Sequence, residues 1–243
     1  MTAGRPLVII DAPSNLGLMP PAPGVEPGTR HGPDALRDLG LHGALKPVRE
    51  LRVEPAVYTP DEDRQVNIRN MAAIADHARH LADAIETCLR NDEFVLVLGG
   101  DCSLLVGAML ANARFPGAGL VFIDGHSDFF LPEQSGTGGA AGMDLALATG
   151  WGPRELTDLE GRRPYVEPAK VAVLGNRDQL RRAPAPIPEI GDAGFHYQPL
   201  DALRRSGMIA AGRAARSAIS PGGEPYWIHL DVDVLDSDLM PAV

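Results

Sequence analysis

Five short apolar runs recur along the chain, and each of them stops at an aspartate or a glycine. Every run is four or five residues long, rich in valine, isoleucine, leucine and aromatic residues, and mostly free of polar alternation. Runs of this kind are typical of strands that are buried on both faces, as in a parallel sheet. We therefore predict strands over residues 7–10, 94–98, 120–123, 171–174 and 226–230.

Helical periodicity fills the stretches between these runs. Apolar residues recur at three- and four-residue steps from about residue 65 to residue 90, which predicts one long amphipathic helix with His77 and His80 on its polar side. Further helices are predicted after Ser103 and over about residues 200–220. Alternating strands and helices indicate an α/β fold with right-handed crossovers.

The overall composition limits the size and the partners of the protein. A chain of 243 residues with 44% apolar content predicts one domain over residues 1–243. A net charge of −10 argues against nucleic acid or an anionic membrane as a partner, and it is compatible with a small cationic substrate. Two cysteines, Cys88 and Cys102, make no disulfide framework. Because the sequence contains no signal-peptide pattern and no membrane-spanning run, we expect a cytoplasmic protein.

Chemically reactive side chains follow three of the predicted strands directly. In a parallel sheet, ligands gather at the carboxyl ends of the strands, and alternate residues of an extended segment point the same way. A single aspartate at such a position is most often a cap or a turn residue, so the argument rests on several of them converging. The converging residues are Cys102, Asp124, His126, Asp128, Asp231 and Asp233.

Several carboxylates at one point repel one another unless cations lie between them. Oxygen-rich ligation with one imidazole suits Mn²⁺ or a similar divalent ion, and a carboxylate that bridges two ions makes a two-metal site. A nucleophilic cysteine at Cys102 with His126 as its base is the weaker alternative, because neighbouring acids raise a thiol pKa.

The ordered motifs resemble those of the arginase/agmatinase family of ureohydrolases. The stretch "GGDCS" is similar to Gly-Gly-Asp-His-Ser, and "DGHSD" is similar to Asp-Ala-His-x-Asp. The stretch "HLDVDVLDSDLMP" resembles Ser-x-Asp-x-Asp-x-x-Asp-Pro-x-x-x-Pro, and "GVEPGTRHGPDALRDLGL" resembles the family's N-terminal Gly-x-x-x-Gly-Pro-x-x-Leu-Arg. Each motif is modest alone, but the set in this order is specific and covers nearly the whole chain.

The resemblance implies a three-layer α/β/α fold with a central parallel sheet. It also implies a binuclear manganese centre whose bridging hydroxide attacks a guanidinium carbon and releases urea. Carried over by position, one ion would be held by Cys102, Asp124, Asp128 and Asp231, and the other by His126, Asp124, Asp231 and Asp233. Asp128 would also orient the hydroxide, which makes it the predicted catalytic residue. The implied partners are a small guanidino or amidino substrate and further copies of the chain in a trimer or hexamer.

The chain departs from the family pattern at the proposed metal ligands and at the proton donor. Cys102 stands where the family has a histidine ligand, and a thiolate favours Zn²⁺ or Fe²⁺ over Mn²⁺. The stretch "AAGMDLALATG" matches a family motif that resembles His-Gly-x-Pro, with Ala141 in place of the histidine that protonates the leaving amine. Loss of such a positioned acid costs about 10²–10⁴ in rate.

Other departures concern the substrate and the end of the chain. Phe130 occupies the position of an asparagine that helps arginases to read the substrate α-carboxylate, which argues against arginine as the substrate. Ser237 replaces a proline, which is a minor change, and His229 is expected to support the ligands rather than to bind metal. Family members continue beyond "LMPAV", so we expect this chain to lack their C-terminal segment, including a glutamate near the substrate.

These features lead to one main hypothesis and two alternatives. The main hypothesis is a metal-dependent hydrolase of linear amidine or guanidino C–N bonds, similar to agmatinases and guanidino-acid hydrolases. Ala141 and Cys102 motivate the first alternative, a non-catalytic metal-binding member or regulatory subunit. A different hydrolysis at the same metals, such as deacetylation, is the second.

Overall fold

The computed structural model describes residues 4–60, 62–63, 66–115, 118–178 and 184–240. Its strands are β1 (Leu7–Ala12), β2 (Arg49–Arg52), β3 (Glu62–Asp63), β4 (Ile68–Arg69), β5 (Phe94–Gly99), β6 (Gly119–Ile123), β7 (Val171–Leu174), β8 (His196–Gln198) and β9 (Tyr226–Leu230). Its α-helices are α1 (Gly32–Asp38), α2 (Leu41–Leu45), α3 (Met71–Arg90), α4 (Leu104–Arg114), α5 (Asp144–Ala148), α6 (Arg154–Thr157), α7 (Leu200–Ser206) and α8 (Met208–Ile219).

The long strands are all parallel and form two hydrogen-bonded sheets. One sheet has the order β2-β1-β5, and the other has the order β8-β7-β6-β9. The short strands β3 and β4 pair antiparallel apart from them. In the four-stranded sheet, β6 and β9 are in register with Phe122 opposite His229. The parallel arrangement sends the carboxyl ends of β6, β7 and β9 to one edge of that sheet.

Helices cover both faces of β6 in the four-stranded sheet, as the alternation of its side chains shows, whereas Ile228 and Leu230 of the edge strand β9 are 60% exposed. Leu120 and Phe122 pack into the larger apolar core, to which α3, α4 and α5 contribute. Val121 points the other way, into a smaller core with residues of α7 and α8. Both faces of the strand are therefore buried, which explains why its sequence is a continuous apolar run. The predicted α/β/α layering with parallel strands is confirmed.

The close packing of α3 against α4 depends on a glycine. A Cβ atom on Gly107 of α4 would lie 3.0 Å from the backbone oxygen of Ala78 in α3. The absence of a side chain therefore lets the two helix backbones approach each other. α4 begins directly after the turn that carries Cys102, so this packing also anchors that turn.

Two boundaries of the predicted helices are wrong. The first long helix begins at Met71, because Ile68 and Arg69 form β4; the expected start near residue 65 lies outside the described residues. The helix expected over residues 200–220 is two helices, α7 and α8, which are separated at Gly207 with φ 81°.

His77 lies on the buried face of α3, where its side chain is 4% exposed and Nε2 contacts the carbonyl oxygen of Val53 at 3.1 Å. It was expected on the polar face, and its backbone partner explains how the core accommodates it. His80 is exposed, as expected. Within the described ranges, no helix is both long enough and apolar enough to cross a membrane.

Candidate metal centre

The candidate site lies at the carboxyl ends of β5, β6 and β9. Backbone hydrogen bonds continue the parallel ladder past the last strand residues: the N–H of Asp124 donates to Leu174 at 3.1 Å, and the N–H of Asp231 donates to Ile123 at 2.9 Å. These bonds place the first acids after β6 and β9 side by side. The sequence folds in this way because the apolar runs of β6 and β9 each end just before an acid that the core would not accept unpaired.

A first group of ligand atoms consists of Asp124, His126 and Asp233, whose donor atoms all lie within 4.8 Å of one another. Nδ1 of His126 lies 2.8 Å from Oδ2 of Asp233. The N–H of His126 donates to Oδ1 of Asp124 at 2.6 Å, and the N–H of Gly125 donates to Oδ1 of Asp233 at 3.1 Å. Oδ2 of Asp124 is buried and has no hydrogen-bond partner among the described residues.

A second group consists of Cys102, Asp144 and His229, and its donor atoms also lie within 4.8 Å of one another. Nε2 of His229 lies 3.8 Å from Oδ2 of Asp144. The imidazole of His229 stacks on the ring of Phe122, with 4.8 Å between the centroids and 6° between the planes. The register of β6 and β9 thus holds this imidazole against the core and towards Asp144.

Asp231 contacts both groups. Its Oδ1 accepts a hydrogen bond from the N–H of Asp233 at 2.8 Å, as the cap of a short 3-10 turn over Val232–Val234. Its Oδ2 accepts a hydrogen bond from the thiol of Cys102 at 2.6 Å. Asp231 therefore connects the two groups through its two carboxylate oxygens.

Asp128 is buried beside the two groups in an unusual backbone conformation. Its φ is 41°, in the left-handed region that few residues other than glycine adopt. Burial raises the pKa of its carboxyl group, and the charges of Asp124 and Asp231 raise it further. The carboxyl group of Asp128 therefore lies close enough to Asp124 and Asp231 for their charges to oppose its ionisation.

The charges of the two groups are poorly compensated within the protein. Burial raises the pKa of Asp124 to about 8, and the charges of Asp231 and Asp233 add to that effect. Burial also raises the pKa of the Cys102 thiol, with further contributions from Asp231 and Asp144. Divalent cations would favour the ionised forms of these ligands.

The two histidines respond differently to their surroundings. The hydrogen bond to Asp233 raises the pKa of His126, whereas burial lowers the pKa of His229 to about 4. Burial opposes ionisation of Asp233, but the bonds from His126 and Gly125 hold the pKa of this carboxyl below its usual value. The donor set of oxygen, nitrogen and sulfur atoms, several of them buried and unpartnered, fits divalent metal ions.

Residues of the neighbouring turns support the centre. Oδ2 of Asp178 accepts hydrogen bonds from the N–H and hydroxyl of Ser127 at 3.2 and 3.0 Å. Nη2 of Arg177 donates to the backbone oxygen of Asp233 at 2.6 Å. Asp101, which precedes Cys102, accepts hydrogen bonds from Ser14 and from the N–H of Ser103. Asp101 therefore fixes the turn.

The residues at the departures from the family pattern lie around the same centre. Ala141 is buried, and its N–H donates to the backbone oxygen of Gly17 at 3.0 Å. Phe130 lies so close to Gly142 that a Cβ atom there would be 3.1 Å from its Cζ. His31, by contrast, is exposed at the end of a short 3-10 turn over Gly28–His31.

Asp144 is the residue of this site that sequence reasoning missed. It begins α5 within the otherwise apolar stretch "AAGMDLALA", and it is 0% exposed. A single charged residue in such a stretch was the available signal, because a buried carboxylate needs a partner. It follows no strand, so the argument from strand ends did not reach it. His229, expected to support the ligands, lies in a ligand group itself.

Comparisons with known proteins agree with this architecture. A family-wide sequence profile described as the arginase family matches residues 7–243. The arginase of Staphylococcus aureus (strain COL) is 31% identical over 244 aligned residues, which cover 97% of this chain and 78% of that protein.

Two solved structures match the fold over 98% of this chain and 79% of theirs. They are the arginase from Bacillus caldovelox in its native form at pH 5.6, with a TM-score of 0.83 and 26% identity, and the arginase from Bacillus cereus, with a TM-score of 0.80 and 25% identity. The sequence match and the shared fold cover the same nearly complete length of this chain. The chain therefore belongs to the arginase family.

Proposed function

We propose that this protein is a metal-dependent hydrolase that cleaves a C–N bond of a linear guanidino or amidino compound, with urea as the product of guanidino substrates. The observation that carries the proposal is the pair of ligand groups connected through Asp231. The buried, unpartnered oxygens of Asp124 and Asp144 add support, because uncompensated carboxylates of this kind call for cations.

In this proposal two divalent ions are held at the strand ends. By the family resemblance, Asp124, His126, Asp231 and Asp233 would hold one ion, and Cys102, Asp124, Asp128 and Asp231 would hold the other. Mn²⁺ suits the first set, and the thiolate of the second set favours Zn²⁺ or Fe²⁺. When bound, such ions polarise the substrate and acidify a water molecule for attack at neutral pH.

The residues of the chain position the reactants. The carboxylate of Asp128 accepts a hydrogen bond from the attacking water and holds it towards the guanidinium carbon. The water oxygen forms a bond to that carbon, the C–N bond to the substrate chain breaks, and the amine leaves with a proton that the attacking water gives up and that solvent carries to the leaving nitrogen. The negative charges of Asp124 and Asp231 favour a cationic guanidinium at the centre.

Phe130 points to a substrate without an α-carboxylate. Its ring packs at Gly142 and offers no hydrogen bond to a carboxylate. The curated relative from S. aureus is named an arginase, so a preference for agmatine or another decarboxylated substrate would separate this chain from it.

We also expect a cytoplasmic homo-oligomer, and light scattering of the purified protein would measure its mass.

Ala141 favours a second candidate function, a non-catalytic metal-binding subunit. A methyl side chain donates no proton to a leaving amine, and the same position in the family motif is a histidine. A hydrolase at this site needs solvent or another acid for that step.

A turnover screen tests the proposal. Metal-free protein is loaded separately with Mn²⁺, Zn²⁺ or Fe²⁺ and mixed with agmatine, 4-guanidinobutyrate, 3-guanidinopropionate or arginine, and urea is measured against chelator-treated protein. Metal-dependent urea release from one substrate supports the hydrolase and dismisses the non-catalytic subunit. Metal binding without urea release from any of the four substrates would overturn the hydrolase proposal. Acetate release from acetylated amines would instead assign the centre to deacetylation.

A further inference from the structure

We propose that Cys102, Asp144 and His229 form a zinc site, in which Asp144 and His229 are direct ligands that the family's metal motifs do not provide. This inference deepens the proposed function and rests on its metal centre. It assigns zinc to the position that contains Cys102, and there it replaces the ligands Asp124 and Asp128 of the family resemblance with Asp144 and His229.

The geometry of the three side chains suits a tetrahedral ion. Their donor atoms lie within 4.8 Å of one another, and Nε2 of His229 is 3.8 Å from Oδ2 of Asp144. Zn²⁺ binds sulfur at about 2.3 Å and nitrogen or oxygen at about 2.0–2.2 Å, so tetrahedral ligand atoms are separated by about 3.3–3.8 Å. The group needs only a modest contraction to reach those distances.

The ligand atoms of Asp144 and His229 are buried and lack hydrogen-bond partners of good geometry among the described residues; the nearby N–H of Leu145 lowers the pKa of the Asp144 carboxyl group but does not offset its burial. Asp144 is 0% exposed, and neither of its carboxylate oxygens has a hydrogen-bond partner among the described residues. The same holds for Nε2 of His229, which is buried and faces Asp144. A buried carboxylate that faces the buried Nε2 atom of a partly exposed imidazole without a partner costs free energy unless something binds both, and a cation does so.

The departures from the family motifs coincide in space. In the motif comparisons, Cys102 stands for a histidine, Asp144 for a proline and His229 for a serine. These three positions are far apart in the chain, yet their donor atoms meet in one group. A thiol, a carboxylate and an imidazole thus replace the family residues together at one place, as expected if they share a ligand.

Asp231 completes the set as a fourth ligand. Its Oδ2 already accepts a hydrogen bond from the thiol of Cys102 at 2.6 Å. Binding would replace the thiol proton with the ion, so that the sulfur and this oxygen become neighbours on one metal. Sulfur, nitrogen and two oxygens around a tetrahedral ion match zinc better than manganese, which prefers oxygen ligands and six-fold coordination.

Cobalt substitution of the complete chain tests this site by a signal that does not depend on catalysis. Metal-free protein is titrated with Co²⁺, and the near-ultraviolet thiolate-to-cobalt charge-transfer band is followed; Zn²⁺ affinity is then measured by competition with a chromophoric chelator. We expect the band in the wild type and its loss in Cys102→Ser. Asp144→Asn and His229→Gln should lower Zn²⁺ affinity on the order of 10–100-fold or more, because removal of even a residue that supports a ligand has that effect.

Two matched variants serve as controls. Cys88→Ser removes the other cysteine, which is buried in α3, and His42→Gln removes another buried histidine, which pairs with Asp11. Both should keep the band and the Zn²⁺ affinity, and circular dichroism should show that every variant is folded. The absence of a thiolate band in the wild type would overturn the inference. Wild-type Zn²⁺ affinity in folded Asp144→Asn and His229→Gln would overturn it as well.

The same preparations are assayed for urea, which separates this inference from the proposed function. Urea release without a thiolate band would reject the zinc site and leave the hydrolase in place. A thiolate band that depends on Asp144 and His229, without urea release from any of the four substrates, would keep the zinc site and reject the hydrolase.

Discussion

The N–H of Ala146 donates a hydrogen bond to the carbonyl oxygen of Asp128, with 3.2 Å between the nitrogen and the oxygen. This bond connects the residue at φ 41° to the helix α5, whose first residue is Asp144. A left-handed backbone at a residue other than glycine persists only when the surroundings hold it. The loop after β6 and the start of α5 are therefore fixed relative to each other.

The substitution Asp128→Asn should abolish most turnover and preserve the fold. Asparagine tolerates a left-handed backbone as well as aspartate does, but its amide is a poorer acceptor for the attacking water. We expect urea release to fall by about 10²-fold or more, with an unchanged or raised melting temperature of the metal-free protein. Steady-state urea assays and differential scanning calorimetry measure the two effects.

Asp92→Asn is the matched control for this change. Asp92 is also left-handed, at φ 56°, but it is an exposed residue paired with Arg5. The same substitution there should leave urea release unaltered. Wild-type turnover in Asp128→Asn would show that Asp128 takes no part in the reaction.

Phe130 should determine how the site discriminates arginine from agmatine. Phe130→Asn introduces a hydrogen-bond donor at the position that faces the α-carboxylate in the family comparison. One such bond to a charged group is worth about 1.5 kcal/mol, so kcat/KM for arginine relative to agmatine should rise about tenfold. Phe130→Leu, which stays apolar, should leave the ratio unaltered; equal ratios in both variants would contradict the assignment.

The glycine turn before Cys102 should be intolerant of a side chain. A Cβ atom on Gly100 would lie 1.8 Å from the backbone oxygen of Ser14, so Gly100→Ala must displace the chain. We expect a loss of about 1–3 kcal/mol or more in the free energy of unfolding, measured by urea denaturation.

Gly212 provides the opposite case with the same substitution. It lies inside α8, and no atom lies within 4 Å of the place that an added Cβ would take, so Gly212→Ala should stabilise the protein by about 0.5–1 kcal/mol. Equal changes in the free energy of unfolding at the two positions would show that the contact between Gly100 and Ser14 is not the reason why the turn needs glycine.

Burial of His77 should make the protein less stable in mild acid. Burial lowers the pKa of this imidazole below its ordinary value of 6.5, although the bond to Val53 opposes the shift. Below pH 6.5 the unfolded chain binds a proton that the folded chain resists, so the stabilising contribution is present above that pH and is lost as the pH falls through the folded pKa.

His77→Gln keeps an N–H donor for Val53 and should therefore lose less stability than the wild type between pH 7.5 and pH 5.5. Chemical denaturation at the two values measures the difference. His80→Gln is the control on the same helix, because His80 is 61% exposed, and it should follow the wild type. A wild-type pH dependence in His77→Gln would assign the acid sensitivity to other groups.

Much of the fold followed from the apolar runs, because strands that are buried on both faces need no other pattern. β6 and β7 were predicted from such runs, whereas β2 was not: its residues Arg49–Arg52 alternate in exposure at the border of a sheet. The start of α3 was misplaced because an apolar stripe does not reveal that Ile68 and Arg69 pair as a strand.

The acids of the candidate centre were predictable in kind but not in grouping. His229 and Asp233 share a face by strand alternation, but the chain turns into a 3-10 conformation after Asp231, so the two side chains enter different ligand groups. Asp144 comes from an irregular segment, and its approach to Cys102 depends on how that segment crosses the sheet edge. No local periodicity encodes such a path.

The convergence of Cys102, Asp144 and His229 also constrains how a protein like this one can change by single steps. Residues that share contacts are not additive in their effects, since each substitution alters the surroundings in which the next one acts. Replacing only Cys102 with histidine would place a second imidazole in a group that already contains His229 and Asp144. We therefore expect strong epistasis among these positions, so that a return to the common family pattern is accessible only when all three are exchanged together.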